Sequence, residues 1–145
     1  MRAMITMNNR TIFVAIGLLI ALGLAFWLIP LQLSSAAPTD LEGKTWKLTS
    51  INGQPAVPGS QATIIFNNRK VAGSTGVNQF GGSYRASGAS ITLSDIASTM
   101  MASTDPALNA QEQTLLSALQ GQITYRVSGN QLQLSSGATT LIYNT

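Results

Sequence analysis

The feature that most limits how this chain can fold is an uncharged apolar run near its start. From Thr11 to Leu33 the sequence reads TIFVAIGLLIALGLAFWLIPLQL, and from Ile12 to Ile29 every position is apolar or glycine. A bilayer core about 30 Å thick takes roughly 20 helical residues, so the run is long enough to cross once. A buried core helix of that kind would need other long segments around it, and the rest of the chain has none. Arg2 and Arg10 precede the run and the first acid is Asp40. The positive-inside tendency therefore puts residues 1–10 in the cytoplasm and everything after Leu33 outside.

The run also has features of a signal segment. Ser34 and Ala36 are small residues of the kind a signal peptidase accepts, with a cut expected near Ala36. Against cleavage, the apolar stretch exceeds the roughly 7–15 residues of an ordinary signal core. Two expectations follow: a domain anchored in the membrane by one N-terminal span and facing outward, or a secreted or periplasmic form of the same domain. Residues 34–40 read as a linker in either case, and 41–145 as the domain.

Charge adds little to that picture. Charged residues are only 9% of the chain, and the formal net charge is +3. Without Arg2 and Arg10, six basic residues face five acids, and the longest basic run is Arg69–Lys70. Nucleic acid is not an expected partner of so neutral a domain. Disulfides are allowed outside the cytoplasm, yet the chain has no cysteine. The domain must be held together by its core, which roughly a hundred residues can supply.

Past the linker the pattern becomes short alternating strands between turn signals. TWKLTSI alternates Trp46 and Leu48 with polar residues and stops at Asn52-Gly53. QPAVPGSQ reads as a loop, ATIIFN as a strand, and Asn67-Asn68 as a turn into KVAGST. GSYRAS and ASITLSDI form a hairpin around Ser87-Gly88. QITYRVS, QLQLS and TTLIYN make a closing meander. One helix interrupts the strands: Asp105 is the candidate N-cap, Pro106 the first helical residue and Gly121 the stop. Leu108, Leu115, Leu116 and Leu119 give it one narrow apolar stripe, which leaves a glutamine-rich face for water. The expected fold is mainly β: an antiparallel, small barrel-like sheet of about seven or eight strands with one helix.

Several chemistries are excluded by absence. With no histidine and no cysteine, the usual nucleophilic triads, zinc sites and redox thiols cannot be assembled. The five acids are Asp40, Glu42, Asp95, Asp105 and Glu112, scattered over linker, loop and helix. Asp105 and Glu112 have structural readings, as the cap and as part of the helix's wet face. No enzyme activity, no metal and no cofactor is expected.

The segment GSTGVNQFGGSY, residues 73–84, concentrates glycines around Val77 and Asn78. It lacks the lysine of a phosphate loop and does not match GxGxxG before a helix. Bulges or sharp bends at a barrel corner explain glycine inside strands. Val77 is expected to face inward at that bend, and Asn78 to hydrogen-bond the loop's own backbone.

Four fragments in order resemble the META domain (HslJ-like) family over about residues 41–143. LEGKTWKLTSINGQ is similar to its opening W-x-L…G pattern through Trp46 and Leu48. GSTGVNQFGGSY resembles G-x-x-G-C-N-x-(F/Y)-x-G-x-Y, with Gly76, Val77, Asn78, Phe80, Gly82 and Tyr84 at the motif positions. LSDIASTMMAS resembles L-x-x-(I/L)-x-x-T-x-M-A-C, ending at Met101 and Ser103, which the resemblance puts in the core signature with Trp46 and Leu48; the helix with its following strands completes the order. The family's two cysteines, which the resemblance implies would pair, are replaced together by Val77 and Ser103. The resemblance implies an antiparallel barrel with one helix, in envelope or secreted proteins linked to stress response, and brings no established enzyme activity.

These readings make the chain a non-enzymatic module outside the membrane that binds a protein or another envelope component. The loops INGQPAVPGSQ and NQFGGSY are its candidate contact surface, since loops carry binding more often than strands do. The alternative is a small ligand in the mouth of the barrel, lined by Trp46, Phe66, Phe80, Tyr84 and Tyr125.

Overall fold

A computed structural model describes residues 40–145. The apolar run 11–33, read above as a span or signal segment, lies outside the described residues.

Among the described residues nine strands and one helix follow in order. They are β1 (Thr45–Ile51), β2 (Gln54–Pro55), β3 (Thr63–Asn67), β4 (Lys70–Ser74), β5 (Gln79–Ser87), β6 (Ser90–Ser98), α1 (Pro106–Ala118), β7 (Gly121–Ser128), β8 (Gln131–Ser136) and β9 (Thr139–Asn144). From β3 to β9 each strand pairs antiparallel with the next in sequence. β1 pairs with β3 through Thr45–Lys47 and with β9 through Leu48↔Tyr143 and Ile51↔Leu141. The sheet thus closes into an eight-stranded barrel, which leaves no long unpaired strand edge. The short β2 occupies the side of β1 beyond β3, at Ser50↔Pro55 and Ile51↔Gln54. Gln54–Pro55 falls within the segment expected to be a loop. The tight turn at Asn52-Gly53 folds the chain straight back onto β1 and makes it a strand.

Alternation along the strands sorts side chains between core and solvent. Trp46 and Leu48, Ile64 and Phe66, Leu132 and Leu134, and Leu141 and Tyr143 all point inward and are buried. The Trp46 indole N–H donates to the Leu41 carbonyl at 3.0 Å. Phe66 and Tyr84 meet edge to face, with ring centroids 5.1 Å apart. The helix adds Leu115, Ala118 and Leu119 to the same core. Each large apolar side chain so buried contributes about 1.5–3 kcal/mol. The helix starts as its sequence signals: the Asp105 carboxylate accepts from the Ala107 N–H at 2.8 Å, and Pro106 opens the first turn.

Two of the two-residue hairpin turns have both central residues at positive φ. Asn52-Gly53 (50° and 79°) joins β1 to β2, and Asn68-Arg69 (48° and 61°) joins β3 to β4. The first is the favoured Asn-Gly pair for such a turn; the second places an arginine where glycine would relieve the backbone.

Candidate functional site

The glycine segment forms a buried corner between β4 and β5. A Cβ on Gly73 would lie 2.0 Å from the Thr63 carbonyl oxygen, and Phe80 packs against the space that glycine leaves open. Gly82 sits where β6 bulges: the register jumps from Gly81↔Ala97 to Ser83↔Ser94. A Cβ there would lie 2.7 Å from the Ser94 carbonyl oxygen and 2.6 Å from the Ile96 side chain. Close approach of two backbones therefore requires both glycines.

Between them, Thr75 and Asn78 are buried polar residues. The Thr75 N–H donates to the Asn78 carbonyl at 2.8 Å, closing the turn. The Thr75 hydroxyl oxygen accepts from the Val77 and Asn78 amides at 3.2 and 2.9 Å, and the hydroxyl donates to Glu112 Oε1 at 2.9 Å. Asn78, 2% exposed, reaches away from its own turn. Its Nδ2 donates to the Met101 carbonyl and to Glu112 Oε1, both at 2.8 Å. Its Oδ1 accepts from the Met101 N–H and the Thr99 hydroxyl, both at 2.7 Å. All four hydrogen-bonding positions of the amide are used.

Two further polar residues of α1 complete the arrangement. Gln111, 5% exposed, accepts from the Val57 N–H at 2.8 Å and donates to the Thr75 carbonyl at 3.2 Å. Asn109 pairs with both backbone groups of Ser103, accepting from its N–H at 3.0 Å and donating to its carbonyl at 2.8 Å. The strap between β6 and α1 is thus clamped at Met101 from the corner and at Ser103 from the helix. Along this strap Met100 and Met101 turn their side chains outward, at 98% and 60% exposure. Loop, corner, strap and helix start gather at one end of the barrel.

Residues 39–144 match the META domain. The chain belongs to the META domain family. No curated protein matches it in sequence, but solved structures do in fold. One protein solved by NMR is 28% identical, with a TM-score of 0.65 over 75% of this chain and 94% of that one. A protein from Burkholderia xenovorans, also solved by NMR, is 24% identical with a TM-score of 0.60, covering 72% of this chain and 82% of its own. A DUF4847 family protein from Bacteroides vulgatus shares the fold at 15% identity and a TM-score of 0.52, covering 72% and 93%.

In this META domain the sequence-derived residues divide between two places. Gly76, Val77, Asn78 and Phe80 are at the strap end, where Gly76 also approaches Ser60 of the loop after β2: a Cβ on it would lie 3.2 Å from the Ser60 Cβ. Both loops chosen as a contact surface therefore meet there. Gly82 and Tyr84 lie further along β5. The Tyr84 hydroxyl donates to Glu42 Oε1, and burial first, then that carboxylate, pushes its pKa well above the ordinary phenol value.

Trp46 and Leu48 are core residues as expected. Met101 is not: Asn78 claims its backbone, and its side chain is left in solvent. Ser103 is half-buried and held through its backbone. Val77 is half-buried and outside the core cluster, which corrects its inward-facing assignment. At the apex of this turn the burial falls to Thr75 and Asn78. Asn78 does not bond its own loop through its side chain; the Thr75 hydroxyl does that. The helix's glutamine-rich face is not wholly wet either, since Gln111 and Glu112 serve the corner. Positions 111 and 112 lie between Leu108 and Leu115 at helical spacing, but that spacing does not tell a buried polar side chain from a wet one.

Of the aromatics considered for a barrel mouth, Trp46, Phe66, Phe80 and Tyr84 belong to the core. Tyr125 is half-buried, with its hydroxyl donating to the Gly88 carbonyl at 3.2 Å. Among the described residues no three His, Cys, Asp or Glu side chains gather in a way that could hold a metal ion.

Proposed function

We propose that this META domain is a non-enzymatic binding module, anchored outside the membrane by the apolar run 11–33, that holds a protein or other envelope component against its strap end. The observation that carries the reading is the strap itself. Two bulky apolar side chains, Met100 and Met101, stand in water while the strap that carries them is held by its backbone at Met101 by Asn78 and at Ser103 by Asn109. Pre-ordering of this kind lowers the entropy that a contact must overcome, and methionine adapts to varied partner surfaces. A role in the envelope or in stress response accords with the family and with an outward-facing domain.

The test replaces Met100 with a photo-activatable residue in the full chain, with the same replacement at Gln133 on β8 as the control. A defined membrane-fraction adduct from position 100 and none from 133 is expected. Equal labelling at both positions, or none at 100, overturns the strap as the contact. Intact mass from fractionated cells tests the anchor: a soluble chain beginning near Ala37 would replace it with a secreted domain. Reproducible turnover in a broad hydrolase screen would overturn the non-enzymatic reading.

A further inference from the structure

Away from the strap end, the β3–β4 turn and the bulge of β6 border a cleft of about 410 Å3. Arg69, Lys70 and Arg85 line it, three of the six basic residues in a near-neutral domain. Asp95, Ser83 and Ser94 share the same lining. The register puts Lys70, Ser83 and Ser94 in one row across three strands, and the Lys70 ammonium donates to the Ser83 hydroxyl at 3.1 Å. Arg85 lies two residues along β5 from Ser83, on the same face.

Arg69 is the unusual member. Its φ of +61° belongs to a turn that favours Asn-Gly, the pair this chain uses at Asn52-Gly53. The backbone does not select arginine there: its carbonyl accepts from the Tyr84 N–H at 2.9 Å, which any residue could do. An exposed side chain kept against local backbone preference is best explained by what its guanidinium does in the cleft.

We propose that this cleft binds a phosphorylated polyol, a phosphate group carrying a glycerol-like or sugar-like unit. Two guanidinium groups and an ammonium suit phosphate oxygens, with arginine able to make two-point contacts. Asp95 would repel a bare phosphate. Its carboxylate suits a neighbouring hydroxyl donor, and Ser83 and Ser94 serve the same polyol. The site is separate from the strap contact and does not depend on it.

The chemistry is shared by a lipid headgroup and by a soluble phosphate ester, and calorimetry separates the two. The full chain in neutral detergent is titrated with glycerol 1-phosphate and, separately, with a short-chain phosphatidylglycerol. Saturable binding of either one, weakened by added salt, is expected, and the tighter ligand identifies the source. Binding of neither overturns the proposal. Arg69→Gly separates the site from the fold: affinity should fall roughly tenfold while the melting temperature stays level or rises by a few degrees. Arg126→Gln, which removes the same charge from β7 at a residue outside the cleft lining, should leave affinity within twofold. Undiminished binding by Arg69→Gly, or an equal loss in Arg126→Gln, would show that no such site exists.

Discussion

The side-chain amide of Asn78 pairs with the backbone of Met101 at two points, accepting from its N–H at 2.7 Å and donating to its carbonyl at 2.8 Å. One side chain therefore does for the strap what a neighbouring strand does for a sheet residue. It joins the segment of Val77 to that of Ser103, the two positions where the family pattern has its cysteines. The cross-link between these segments is polar here, and every group in it is paired.

Asn78→Ala should lower stability by about 1–3 kcal/mol, because it leaves buried backbone and carboxylate groups without partners. Urea unfolding measures the loss, and faster amide exchange at Met101 would locate it. A variant with native stability would show that the pairing contributes nothing.

Adjacent glycines should respond differently. A Cβ on Gly81 meets nothing closer than 3.7 Å, whereas one on Gly82 falls 2.7 Å from the Ser94 carbonyl oxygen. Gly82→Ala should cost about 1–3 kcal/mol or more through forced backbone movement. Gly81→Ala should stay within about 0.5 kcal/mol of the parent. Parallel thermal melts decide it, and equal costs would mean the bulge yields freely.

Val77→Asp should be tolerated, at about 1 kcal/mol or less, since the side chain is half-buried and outside the core. Phe80→Ala, two positions beyond the turn's buried asparagine, should cost about 3–5 kcal/mol. The order of their melting temperatures is the check; the reverse order would return Val77 to the core.

Alkaline pH should unfold the domain before mild acid does. Burial, together with the Glu42 contact at Tyr84, raises the pKa of Tyr84 in the folded state, and burial alone raises that of Tyr143. The unfolded chain then loses these protons first, near pH 10. The stabilisation is complete below that value and declines as pH rises from there towards the folded-state values. Urea midpoints should be level from pH 7 to 9 and fall above about 10. Tyr143→Phe should blunt the fall, and a midpoint unchanged at pH 11 would contradict the assignment.

Most of the barrel could be read without coordinates, for reasons local to each segment. Period-two alternation at Trp46–Leu48, Leu132–Leu134 and Leu141–Tyr143 sorts faces wherever the strand ends up, and Asp105-Pro106 starts the helix through bonds within its own first turn. Glycine at 73 and 82 likewise announced a tight corner. What local pattern could not reveal was which polar side chains would be buried.

That choice belongs to tertiary structure. Gln111 looks like any wet-face glutamine, and Met101 like a core residue, until the corner is docked on the helix. The deciding bonds join residues far apart in sequence, 23 positions from Asn78 to Met101 and 34 from Asn78 to Glu112. Sequence alone determined the alternating strands, the turns, the helix cap and the absence of histidine and cysteine. The closed barrel decided that Asn78 would be satisfied by the backbone of Met101, because a buried amide must find its partners wherever the fold brings them within reach.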